Sequence, residues 1–174
     1  LTSVDELNAA EADAAAAMLH PCCASTAWGR AVVAGRPYPG LDALLAASDP
    51  IVRSLSWADV EEALAAHPRI GDRPTDAATT EKKWSQGEQA GVADADGEVL
   101  AALADGNAAY EARFGHVYLV CASGKSAEEL LGILQDRLDN DPAHEHDVVR
   151  GELAAITRLR LQKLFADESV EVRP

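Results

Sequence analysis

His67, Pro68, Arg69, Ile70, Gly71 and Asp72 run consecutively, and Ser85, Glu88 and Gln89 follow on the next helical segment. Together they form the densest set of groups in the chain able to move a proton or hold a polar ring. His67 falls just past the end of a predicted helix, and Pro68 prevents that helix from continuing. The negative end of the helix dipole favours the imidazolium form there. The ring is therefore fixed in direction, with a proton affinity suited to acid–base work near neutral pH. The same position also allows a plainer role, in which His67 only meets the terminal carbonyls of its helix.

Ser85 and Gln89 are one helical turn apart and Glu88 is three residues from Ser85, so all three can project into one patch. A hydroxyl, a carboxylate and a carboxamide on one face could read a small polar heterocycle, although a solvated helix face would use the same residue types. Gly87 and Gly91 weigh against simple solvation, since glycine within a helix is costly unless a backbone or ligand approaches closely. Arg160 is a separate signal. It lies four residues after Ile156, four before Leu164 and seven after Leu153, which puts a guanidinium on the helix stripe that should be buried. Such a charge must be paired with a carboxylate or serve a ligand, because leaving it bare costs several kcal/mol.

The elements that must position these groups read as helices. Ser3 to Glu6 forms a capping box, and Glu11 to Leu19 is an alanine-rich helix stopped by His20-Pro21. Ser25 or Thr26 caps a helix carrying Trp28, Val32 and Val33, which the Gly35 to Gly40 segment ends. Leu41 to Ser48 and Pro50 to Ser54 read as short helical pieces, and Ser56 opens a helix to Ala66. Periodicity is lost from Gly71 to Asp76, with Asp72 and Pro74 marking a loop, and returns near Thr80. A longer helix runs from Asp94 or Gly97 through Phe114, and Gly115 closes it. Val117 to Ala122 is β-like, but one isolated strand makes no sheet, so it reads as an extended connection or a buried helix start. Ser126-x-x-Glu129 caps a helix through Leu138, and the last helix begins at Pro142 and continues to about Ala166. The expected architecture is all-α: a single domain over residues 1–174, a compact bundle of about eight to ten helices with short loops.

Composition supports that class and excludes others. Hydrophobic residues make up 48% and aromatics only 5%, so the core must come from close packing of Leu, Val, Ile and Ala. The formal net charge is -14, from 29 acidic against 15 basic residues, and no basic run is longer than Lys82-Lys83. A nucleic-acid partner needs clustered cations, so none is expected. Cys22, Cys23 and Cys121 are odd in number and lack metal-ligand spacing, so no metal is expected and a reduced compartment is favoured. No apolar run is long enough for a membrane span, no cationic apolar leader opens the sequence, and Val172-Arg173-Pro174 is not a peroxisomal address. A cytoplasmic protein that does not associate with membranes is the expectation.

The His67-Pro68-Arg69-Ile70-Gly71-Asp72 loop, the Ser85-x-x-Glu88-Gln89 cluster and the C-terminal Ile156-x-x-x-Arg160-Leu161 segment together resemble the 2-oxo-4-hydroxy-4-carboxy-5-ureidoimidazoline (OHCU) decarboxylases of purine breakdown. The resemblance runs through nearly the whole chain. It implies a cofactor-independent carboxy-lyase acting on a small-molecule substrate in urate degradation, with (S)-allantoin as product and a homodimer as the working form. It further implies His67 and Glu88 as catalytic residues, with Pro68, Ser85, Gln89, Arg160 and the backbone at Val120 and Ala122 binding substrate around one small cavity. Gly115 to Tyr118 departs from a stretch that is more Phe-rich in the family, and His116 is expected to line the surface or the pocket. Cys121 reads as core, since nothing marks a partner that would stabilise its thiolate. Asn140, Asp141 and Glu145 echo the family's turn into the last helix, and His144 and His146 receive no role. Two other readings are consistent with the same residues: a non-catalytic helical module binding a metabolite or protein, and a hydrolase of a neighbouring ureide in which Glu88 and His67 activate water.

Overall fold

The computed structural model describes residues 2–72 and 80–165, excluding the side chains of 80–82. The expected loop beyond Asp72, the end of the last helix at Ala166 and the C-terminal Val172-Arg173-Pro174 lie outside these residues. Among the described residues there are ten helices and no strand, as expected for an all-α chain. The chain divides into two compact units, Leu1–Ala63 with Leu153–Pro174, and Leu64–Glu152.

The first unit is built from α1 (Val4–Ala9), α2 (Ala12–Leu19), α3 (Thr26–Ala34), α4 (Leu41–Arg53), most of α5 (Trp57–Leu64) and the second part of α10 (Pro142–Leu164). Its caps follow the sequence. Ser3 and Glu6 form the reciprocal capping box of α1, and the Ser25 hydroxyl accepts the Trp28 N–H to start α3. The Glu62 carboxylate adds bonds from the Thr26 N–H and hydroxyl at 2.7 and 2.5 Å, and these hold its pKa below the usual carboxylate value. Arg36 ties the end of α1 to the turn after α3 by donating to the carbonyls of Leu7 and Ala10. Trp28 is fully buried, and its indole N–H bonds to the Ser48 hydroxyl at 3.0 Å.

Where the sequence suggests two short pieces, α4 is continuous through Pro50. An interior proline costs about 3 kcal/mol. Leu44, Leu45 and Val52 are all buried on this helix, and burying each such side chain stabilises by about 1.5–3 kcal/mol, which outweighs the break.

The second unit comprises α6 (Thr80–Glu88), α7 (Ala90–Ala93), α8 (Gly97–Phe114), α9 (Ala127–Arg137) and the first part of α10. Gly115 ends α8 in the left-handed region with φ 78°, the conformation that favours glycine at this position. Ser126 and Glu129 form the expected capping box of α9, and Asp141 accepts the His144 N–H at the start of α10. Leu103, Tyr110, Tyr118, Val120, Leu130 and Leu134 make the core. Val117 to Ala122 crosses it without helix, strand, turn or bend, so of the two options left by the sequence the connection is the one taken.

Candidate active site

His67 is half-buried one turn beyond α5, with its N–H on the Leu64 carbonyl at 2.9 Å. The loop it opens has one turn of its own, closed by the Asp72 N–H on the Arg69 carbonyl at 3.2 Å, and is otherwise clasped from outside. Asn107 of α8 donates to the Ile70 carbonyl at 2.9 Å, and Glu111, one turn further along, takes both an Nε and an Nη of Arg69 at 2.7 and 3.1 Å. Ile70 is buried in the core, and Gly71 turns with φ 91°, a backbone shape that side-chain-bearing residues rarely adopt. The Gly71 N–H donates to Gln89 Oε1 at 3.0 Å, which joins the loop to the end of α6.

α6 turns Ser85 and Glu88 inward, and both are buried, while Gln86 and Gly87 are exposed. The solvated-face reading of this cluster therefore fails for Ser85 and Glu88. Gln89 is half-buried at the α6–α7 junction. Pro68, Ser85 and Gln89 meet on the wall of a cavity of about 350 Å³, with Gly71, Val92 and Leu100 supplying much of the rest. His67 precedes one wall residue and Glu88 another, but neither is itself on that wall. Val120 and Ala122 are buried in the crossing segment; between them, Cys121 lies within electrostatic reach of Glu88. Burial is the main cause of a raised Cys121 thiol pKa, with Glu152 and Glu88 adding to it against Lys125. That supports a packing role for Cys121 over a nucleophilic one.

Gly91 and Gly87 have different reasons for being glycine. A Cβ on Gly91 would run into the carbonyl of Lys125, whereas Gly87 faces open space. Gly91→Ala should therefore force α7 away from the turn before α9 and destabilise the protein by about 1–3 kcal/mol, with Gly87→Ala as the matched control. An unchanged melting temperature for the Gly91 variant would show that the turn yields freely.

Arg160 belongs to the first unit and is buried, as its helix stripe suggests, while Arg158 and Lys163 are exposed. Its Nη1 donates to the Pro21 carbonyl at 3.3 Å, and its charge acts on the buried Cys23 thiol, whose pKa burial raises. The first unit also contains a larger cavity of about 970 Å³, walled mainly by small residues of α2 and α3 such as Ala12, Ala16 and Gly29. It contains none of the residues singled out in the sequence for chemistry or substrate binding, so its size does not make it the site.

Sequence reasoning missed a buried polar network in the second unit. Glu145 is completely buried and accepts from Arg137 at 2.7 and 2.5 Å, from the Tyr110 hydroxyl at 2.6 Å and from Asn140 at 2.9 Å. Arg137 also stacks over the Tyr118 ring, 4.9 Å from its centroid. Burial works against the guanidinium charge, but the Glu145 bond and charge more than offset it, and the Arg137 pKa is raised. Burial also pushes the Tyr110 hydroxyl far up, and its bond to Glu145 pushes it further. The signal for Arg137 was available, since it follows Leu130 and Leu134 on the apolar stripe of α9 just as Arg160 follows Leu153 and Ile156 on α10.

The family model for OHCU decarboxylase matches residues 8–162. The "uric acid degradation bifunctional protein TTL" of Arabidopsis thaliana is 31% identical over 150 residues, 85% of this chain and 46% of that protein. The chain thus spans about half the length of that relative. The 2-oxo-4-hydroxy-4-carboxy-5-ureidoimidazoline decarboxylase of Amia calva is 34% identical over 137 residues, 78% of each chain. Among solved structures, an OHCU decarboxylase crystallised in the presence of (S)-allantoin superposes with a TM-score of 0.74 at 27% identity, covering 91% of this chain and 100% of that one. An (S)-allantoin synthase shares the fold, with a TM-score of 0.69 at 19% identity over 94% of this chain and 54% of that one. With the match extending over most of its length, this chain belongs to the OHCU decarboxylase family.

Proposed function

We infer that the protein is a carboxy-lyase of urate catabolism that converts 2-oxo-4-hydroxy-4-carboxy-5-ureidoimidazoline to (S)-allantoin. The observation that carries this reading is the family match from 8 to 162, which spans both the His67-Pro68 loop and the Ser85-x-x-Glu88-Gln89 cluster around the cavity.

The chemistry suits such a site. The substrate's carboxylate sits on a carbon next to a C=N bond, so the electron pair released with CO2 moves into that bond and the imine nitrogen takes up a proton. The substrate therefore contains its own electron sink, and the protein's part is to hold the ring and move protons. His67 takes the proton of the ring hydroxyl as the intermediate collapses to the carbonyl. A proton delivered to one face of the neighbouring carbon sets the single enantiomer. Glu88 orients His67 or shares the transfer, and Pro68, Ser85, Gln89 and the backbone of Val120 and Ala122 fix the ring. Clamping the departing carboxylate with a cation would stabilise the ground state more than the transition state. Arg160 is therefore assigned to a ring or ureido oxygen, on the strength of its match to the family's C-terminal arginine.

The test is to generate the substrate freshly and follow its decay by ultraviolet absorbance and the chirality of the product by circular dichroism, with and without the protein. Accelerated release of CO2 with a signal of (S)-allantoin is expected. Release of ammonia or urea would instead identify a ureide hydrolase, and no acceleration would leave a binding module. Arg160→Met should lose a charged hydrogen bond of about 1.5–3 kcal/mol, or roughly 10- to 150-fold in kcat/KM. Normal kcat/KM in this variant would make Arg160 structural.

We also propose that the chain works as a homodimer in the cytoplasm. The family resemblance supports the first, and the second rests on three cysteines that are all free thiols. Light scattering of the purified protein checks the dimer. Among the described residues no helix is long and apolar enough to cross a membrane.

A further inference from the structure

The crossing segment between α8 and α9 is held along one edge by side chains. Arg137 Nη1 donates to the Leu119 carbonyl at 2.6 Å, Lys125 Nζ donates to the Cys121 carbonyl at 2.8 Å, and Glu152 accepts the Cys121 N–H at 2.8 Å. Across a trans peptide the C=O of one residue and the N–H of the next point in opposite directions. The Leu119 and Cys121 carbonyls are each taken by a cationic side chain, and the N–H groups of Val120 and Ala122 point away from those cations. No partner for either N–H is found among the described residues.

A peptide group is a single planar resonance unit, so the carbonyl of one residue and the N–H of the next share their electrons. A cation bonded to the oxygen draws density from the nitrogen and makes its hydrogen a stronger donor. The two carbonyls that carry cations are those of Leu119 and Cys121. The two hydrogens thereby strengthened are on Val120 and Ala122.

We propose that Lys125 and Arg137 are positioning residues that polarise these two peptide groups and turn Val120 and Ala122 into a paired donor site for an oxygen that becomes negative during reaction. This deepens the reading above, on which the Val120–Ala122 backbone faces substrate. Glu152 fixes the register of the segment. Its carboxylate holds the Cys121 N–H, which lies between the two donors in the chain. Donors arranged in advance for a developing oxyanion act in the transition state more than on the bound substrate, so their effect belongs in kcat.

Lys125 gives the cleaner test, because Arg137 also neutralises Glu145. Lys125→Met should lower kcat about 3- to 10-fold with little change in KM. Lys125→Arg should stay within about 2-fold of the parent. Lys125→Gln is decisive, since its amide can still bond the Cys121 carbonyl but carries no charge. It should fall with the Met variant, whereas a bond that merely held the backbone in place would be kept. An independent reading comes from the Ala122 amide nitrogen resonance, which should move upfield in the Met and Gln variants and not in the Arg variant. Parental kcat in the Gln variant with an unmoved Ala122 resonance would overturn the proposal. Should the parent protein itself fail to turn over substrate, the decarboxylase reading falls, and the Ala122 resonance still decides whether the lysine polarises that peptide group.

Discussion

His67→Ala should reduce the acceleration of allantoin formation by about 10²- to 10⁴-fold, with helical circular dichroism and melting temperature close to the parent's. His67 is half-buried outside any helix, and the loop around it is held by backbone and by Arg69, Ile70 and Gly71. Its imidazole can therefore be removed without taking away those ties. The structural and chemical roles of the loop separate at this residue. His67→Asn is the companion variant, because its amide can bond the terminal carbonyls but cannot exchange protons at neutral pH. If asparagine restored the rate, the histidine would be a capping group and the proton would have to come from elsewhere in the site.

Glu145→Ala should have the largest effect on stability. It leaves the Arg137 guanidinium buried without its carboxylate, and takes a partner from Tyr110 and Asn140 as well. Breaking one side of a buried pair costs about 3–5 kcal/mol, against a total stability of about 5–15 kcal/mol for most domains. For a chain of this size that corresponds to a fall in melting temperature of roughly 6–20 °C. Replacing both partners, Arg137→Met with Glu145→Leu, should recover most of the loss, because no uncompensated charge remains. A Glu145→Ala protein melting within about 2 °C of the parent would mean that water reaches the guanidinium and the network is not sealed.

Much of the fold is legible from local chemistry. The capping boxes at Ser3 and Ser126, the stop at Gly115 and the start at Pro142 each depend on residues within one turn of the boundary. The continuity of α4 is not legible, because Pro50 is a local signal to stop and the burial that overrides it comes from tertiary packing. The short α7 is also lost to sequence reasoning, as four residues are too few for a periodic pattern.

The site divides in the same way. Ser85 and Glu88 share a face by helical spacing, but the residue types fit a solvated face as well, and their burial is set by packing. The ties that hold the His67 loop come from Asn107 and Glu111, which lie 37 and 42 residues beyond their partners Ile70 and Arg69. Nothing in a single sequence announces pairs so far apart. Lys125 and Glu152 are hidden for the same reason: each bonds to backbone, and backbone partners leave no trace in residue type.

The bond between Gly71 and Gln89 also restricts what the cavity can hold. A backbone N–H can only donate, so the atom of Gln89 that meets it must be the amide oxygen, and the amide N–H groups together with that oxygen's second lone pair remain for a guest. Discrimination at this wall follows. A heterocycle presenting a lone pair there can meet either amide hydrogen, whereas one presenting a hydrogen has a single free lone pair to reach, and missing it leaves two donors opposed at about 1–3 kcal/mol. On the proposed function, the loop that carries the histidine thereby also sets which end of the Gln89 amide is turned to the ring.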